Sequence, residues 1–65
     1  MIRRLREEKN VTQSALADRL GVPQSFVSKV ETGERRLDVL ELRTVCAGLQ
    51  LPLRKFVQML EAELE

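Results

Sequence analysis

The sequence contains no histidine, no tryptophan and no tyrosine, and a single cysteine among its 65 residues. Each absence removes a class of chemistry. Without histidine, the commonest general base and the commonest metal ligand are both missing. Cys46 has no second cysteine with which to form an internal disulfide or share a zinc ion. It reads as a buried structural thiol, because a redox sensor needs an exposed, electropositive setting that Val45-Cys46-Ala47 does not suggest. There is no glycine-rich phosphate loop, and a chain this short has no capacity for a deep pocket. Neither an enzyme nor a cofactor-binding or metal-binding protein is therefore expected. No apolar run reaches the length of a membrane span, and Met1-Ile2-Arg3-Arg4 leads into no signal-peptide hydrophobic region. The expectation is a cytoplasmic protein without a membrane partner.

What is present is a globular balance, 43% hydrophobic and 32% charged, read as one domain over residues 1–65 without repeats or linkers. Phe26 and Phe56 are the only rings, so the core falls to Leu, Val, Ile and Ala, which suits short helices packed together. The net charge of +1 is lower than a typical nucleic-acid binder carries. Local charge matters more, however: Glu61, Glu63 and Glu65 crowd the end of the chain and leave the rest more basic.

Periodicity and punctuation divide the chain into five helical segments. The first runs from about Ile2 to Lys9, with Ile2, Leu5 and Arg6 toward one face, and ends at Asn10. The second is capped by the Thr12 hydroxyl, carries Leu16, Ala17 and Leu20 inward, and stops at Gly21, where glycine tolerates a left-handed backbone. Pro23 lies in the first turn of the third, where its missing N–H costs nothing. That helix continues to about Glu31, with Val27 and Val30 inward, and Gly33 ends it. Asp38 and Glu41 have the spacing of a capping box for the fourth helix, whose apolar stripe is Val39, Leu42, Val45, Cys46 and Leu49. The fifth begins near Pro52 and is expected to bury Leu53, Phe56, Val57 and Leu60.

Two short helices joined by a tight glycine turn have the geometry of a helix-turn-helix, in which the second helix enters the major groove of DNA. Within them stand Thr12-Gln13 at the start of the second helix, Leu16-Ala17 inside it, and Ser28-Lys29-Val30-Glu31-Thr32-Gly33 closing the third. With these residues the chain resembles the phage-repressor-like helix-turn-helix proteins, lambda-repressor-like and Cro-like, also called the XRE family. The resemblance runs from Leu5-Arg6 to Leu49-Gln50-Leu51. It implies an all-α, compact five-helix lambda-repressor-like domain with the motif at helices 2 and 3. It also implies a transcriptional regulator, by preference a repressor, that binds double-stranded DNA. Two departures, Ala15 where the family commonly has an acid and Pro52 where a capping Ser or Thr is common, bear on stability.

The residues support this reading chemically. With Val27 and Val30 turned inward, Gln24, Ser25, Ser28 and Lys29 fall on the outward or groove-edge side. Gln pairs in bidentate fashion with adenine, Ser with any base edge, and Lys with guanine acceptors or a phosphate. The resemblance implies the same four positions as base readers; the plainer alternative is a solvated polar face. Gln13, at the positive end of the second helix, is the first candidate for a phosphate contact. Arg35 and Arg36 are candidates to grip flanking phosphates, although Glu34 weakens the local field. Phe26 is expected to pack against the second helix in preference to meeting a thymine methyl. The resemblance further implies a partly buried structural ion pair between Arg6 and Glu31.

A protein-interaction module, or an antitoxin-like partner-binding domain, is the competing function on the same fold. Near-neutral charge favours it, and the polar outer face of the third helix opposes it. Homodimers on pseudo-palindromic operators are expected, with Leu40 and the residues Val57, Leu60 and Leu64 of the fifth helix as interface candidates.

Overall fold

The computed structural model describes residues 1–64, and Glu65 of the acidic end lies outside the described residues. Five helices follow one another: α1 (Ile2–Glu8), α2 (Gln13–Leu20), α3 (Gln24–Glu31), α4 (Val39–Gly48) and α5 (Leu53–Leu64). The all-α architecture follows from sequence period. Leu5, Val11, Leu16, Ala17, Val27, Val45, Cys46, Leu49 and Phe56 converge in one buried cluster, with Leu16, Cys46 and Leu49 the most completely enclosed. Every helix supplies at least one of these residues, so none of the short helices has to hold its shape by local propensity alone.

Helix ends are set by side chains and by backbone handedness. At α2 the Thr12 hydroxyl accepts a hydrogen bond from the Ala15 N–H at 3.0 Å. At α4 the capping box is complete, with the Glu41 N–H donating to Asp38 Oδ1 at 2.7 Å and the Asp38 N–H to Glu41 Oε1 at 3.2 Å. Three helices end alike. Asn10, Gly21 and Gln50 take positive φ of 57°, 70° and 56°, and the next residue's N–H returns to a carbonyl of the last turn: Val11 to Arg6, Val22 to Ala17, Leu51 to Cys46. Pro23 lies just outside α3, in extended conformation with ψ of 152°, rather than inside its first turn as the sequence suggests.

Two valines depart from the expected faces. Val39 is 69% exposed, because the first turn of α4 overhangs its neighbours and the helix enters the core only from Leu42. Val57 is 39% exposed, because Phe56, Leu53, Met59 and Leu60 define the inward stripe of α5 and Val57 sits at its edge. Arg19 braces the α2–α4 contact by donating to the Gly48 carbonyl at 2.9 Å. Gly48 permits that approach: a Cβ there would meet the Leu20 and Leu16 side chains at 2.9 and 3.1 Å.

Candidate nucleic-acid interface

Val27, buried at 3% exposure, seats α3 on the core, and Phe26 and Val30 flank it half-buried. The opposite side of the helix follows from that seat. Gln24, Ser25 and Lys29 are exposed and Ser28 is half-buried at the edge. The cavity beneath α3, lined by Ile2, Leu16, Leu20, Phe26, Val27, Val30 and Val45, holds about 10 Å³, which leaves scarcely room for one water. Close packing around Val27 therefore fixes which side of α3 faces the core.

Behind α3 lies a polar relay. The Glu31 side chain is 3% exposed and the Arg6 side chain 10%. Arg6 Nε donates to Glu31 Oε2 at 2.7 Å, Arg6 Nη2 to Glu31 Oε1 at 3.1 Å, and Arg6 Nη1 to the Val11 carbonyl at 2.8 Å. One guanidinium thus joins α1, the loop before α2, and the end of α3. Burial pushes the Glu31 carboxyl upward, but hydrogen bonds from Arg6 and Gln13, with the charges of Arg6 and Arg3, outweigh it and hold the group below the usual carboxylate range. The Glu31 hydrogen bond, opposed by desolvation, holds Arg6 above its ordinary value.

The relay continues outward. Gln13 Nε2 donates to Glu31 Oε1 at 3.1 Å, and Gln24 Nε2 donates to Gln13 Oε1 at 3.4 Å. An ionised carboxylate only accepts, so Glu31 dictates that Gln13 turns its amino group inward and its carbonyl outward. Gln13 then accepts from Gln24, which retains one free N–H and its carbonyl oxygen. That pair of groups, donor beside acceptor, is the pattern that adenine's N7 and N6 amino group complement. Periodicity gave no sign of the Gln13–Gln24 contact, since it joins two helices.

The two loop arginines differ in their surroundings. Arg36 is exposed and, with Lys29, has no ion-pair partner among the described residues. Arg35 is engaged within the chain: its Nη2 lies 2.7 Å from Glu41 Oε2, and its guanidinium carbon stands 4.7 Å from the centre of the Phe26 ring. Other cations are also committed, Arg3 to Glu7 and Arg4 to Glu63. Cys46 is buried, and desolvation pushes its thiol pKa up, away from the thiolate a reactive cysteine needs. No helix among the described residues is long and apolar enough to cross a membrane.

A seated helix with a polar outer edge, reached through a tight glycine turn, is the arrangement of a helix-turn-helix domain. Comparison with known proteins agrees. The helix-turn-helix family profile matches residues 2–56. An XRE-family like protein from Pseudomonas syringae pv. tomato str. DC3000 superposes with a TM-score of 0.88 at 45% sequence identity, over 95% of this chain and 76% of that one. The control protein C.MunI of Mycoplasma sp is 27% identical over 63 residues, covering 95% of this chain and 85% of the relative. The chain belongs to the helix-turn-helix family, of the XRE type. It is accordingly a DNA-binding transcriptional regulator and not an enzyme.

Proposed function

We propose that α3 enters the major groove of double-stranded DNA and reads bases through Gln24, Ser25, Ser28 and Lys29. The observation that carries this reading is the oriented amide of Gln24, held by Gln13 and ultimately by Glu31 with an adenine-complementary face outward. Ser25, next to it at the helix start, reads a neighbouring base edge, and Lys29, one turn on, takes a guanine acceptor or a phosphate. Gln13 stands at the amino end of α2 with a second amino hydrogen unused, and that hydrogen meets a phosphate oxygen where the helix dipole is positive. Arg36, exposed and unpaired among the described residues, neutralises a flanking phosphate.

The regulator binds as a homodimer on a pseudo-palindromic operator. Leu40 at 74% exposure and Leu64 at 78%, with Val39 and Val57, are apolar groups that the monomer leaves in water. Glu61, without an ion-pair partner among the described residues, makes the end of α5 unfavourable beside phosphates, so α5 faces away from DNA and toward the second copy. The longest dimension of the protein, 32 Å, fits two domains to half-sites one helical turn, about 34 Å, apart.

Selection of bound duplexes from a random pool, followed by titration with salt, tests the reading. Binding should weaken steeply with salt. Gln24→Ala and Ser25→Ala should change the preferred sequence, whereas Arg36→Gln should weaken all sequences alike. Absent binding, or binding indifferent to salt, would favour a protein-docking module instead.

A further inference from the structure

The Arg35 backbone N–H donates to the Lys29 carbonyl at 3.1 Å, which turns the chain back along α3 as soon as that helix ends. The side chain then runs toward the other end of the helix. Its guanidinium covers the Phe26 ring at 4.7 Å and meets Glu41 Oε2 at 2.7 Å. Glu41 is itself fixed, because its other oxygen closes the capping box with the Asp38 N–H. Phe26 is the residue immediately after Gln24 and Ser25, so whatever restrains the ring restrains the segment that leads into the groove. A guanidinium whose charge is already met by a carboxylate, and whose face lies on a ring, gains less from a phosphate than an unpaired one does.

We propose that Arg35 is a positioning residue that straps α3 to the start of α4 through Phe26 and Glu41, and that base selectivity, rather than phosphate affinity, depends on it. The assignment rests on the groove reading above. It separates two adjacent arginines that look equivalent in sequence: Arg36 is the phosphate contact and Arg35 is the strap.

The test measures two quantities for the wild-type chain, Arg35→Gln, Glu41→Gln and Arg36→Gln. One is the slope of log affinity against log salt on the duplex that the wild-type chain selects. The other is the ratio of affinities for that duplex and a scrambled one. Arg35→Gln should leave the slope unchanged and reduce the ratio about tenfold, the scale of one misplaced bidentate base contact. Glu41→Gln retains an oxygen for the capping box while freeing Arg35, and should reduce the ratio as well. Arg36→Gln should lower the slope by about 0.9 and keep the ratio. A slope reduced by about 0.9 in Arg35→Gln with the ratio intact would make Arg35 an ordinary phosphate contact and overturn the proposal. So would an unchanged ratio in Glu41→Gln. Thermal melts of each variant show that the protein compared is folded. A wild-type chain without salt-dependent duplex binding would defeat the groove reading, and this role with it, before any variant is made.

Discussion

Glu31 is the residue on which the candidate site and the fold both lean. Its buried carboxylate receives Arg6 and Gln13 together, and a charge left there without its partner has nowhere to be solvated. Glu31→Ala strands Arg6 in turn and should cost about 3 kcal/mol, measured by chemical or thermal denaturation. In a chain of this length, whose whole stability is roughly 3 to 10 kcal/mol, that is a large share. Acid should do the same gradually. The carboxyls of Glu31 and Glu41 both bind protons more weakly folded than unfolded, Glu41 through the Asp38 backbone N–H and Arg35. Their contribution is complete above the unfolded carboxylate range, about pH 4.3, and disappears as pH falls through the lower folded values. Thermal melts between pH 7 and pH 3 should show Tm falling in that acid window, and Glu31→Gln should flatten the fall. An unchanged slope in that variant would remove Glu31 from the account. Residue types alone suggested an Arg6–Glu31 pair only through family likeness. The contacts beyond it, Gln13 to Gln24 and Arg35 to Phe26 and Glu41, join residues from separate elements, and nothing in local spacing marks them.

At the scale of elements, helix limits are legible because they depend on neighbours in the chain. Thr12, the Asp38–Glu41 box and Gly21 act over three or four residues, and each sits where its chemistry requires. Which apolar positions of a helix are covered depends on other helices, and here reading the stripe fails at its ends: Val39 extends a perfect spacing past the point where there is anything to pack against. The repeated left-handed joint carries its own prediction. Gln50 holds a φ of 56° that costs a side-chain-bearing residue about 1 kcal/mol, more than it costs Asn10, whose short amide tolerates the region. Gln50→Gly should stabilise the protein by about 0.5 kcal/mol after the greater freedom of glycine in the unfolded chain is counted. That corresponds to a rise in Tm of about 3 °C, with Asn10→Gly gaining less.

For the molecule as a whole, charge placement says more than net charge. Arg3, Arg4, Arg6 and Arg35 are matched by Glu7, Glu63, Glu31 and Glu41. A balance near neutrality therefore conceals seven cations without an ion pair among the described residues, and Lys29 and Arg36 are the ones that flank the end of α3. The apolar excess is equally local. Replacing Leu40 or Leu64 by Glu should shift sedimentation toward monomer and weaken operator binding, by roughly tenfold or more, without lowering the Tm of the monomer, since neither side chain is buried in it. Loss of monomer stability in those variants would mean that they complete the core instead.

The three-way grip of Arg6 has a consequence for a broken chain. Because one side chain on the opening helix supplies both the counter-ion of Glu31 and a clasp on the Val11 carbonyl, cutting the backbone at Asn10 would leave α1 tied to α3 by non-covalent contacts alone, those of Arg6 and of buried Leu5. A chain nicked there should melt at a lower temperature than the intact one, because any loss of α1 would leave the Glu31 charge buried without its partner.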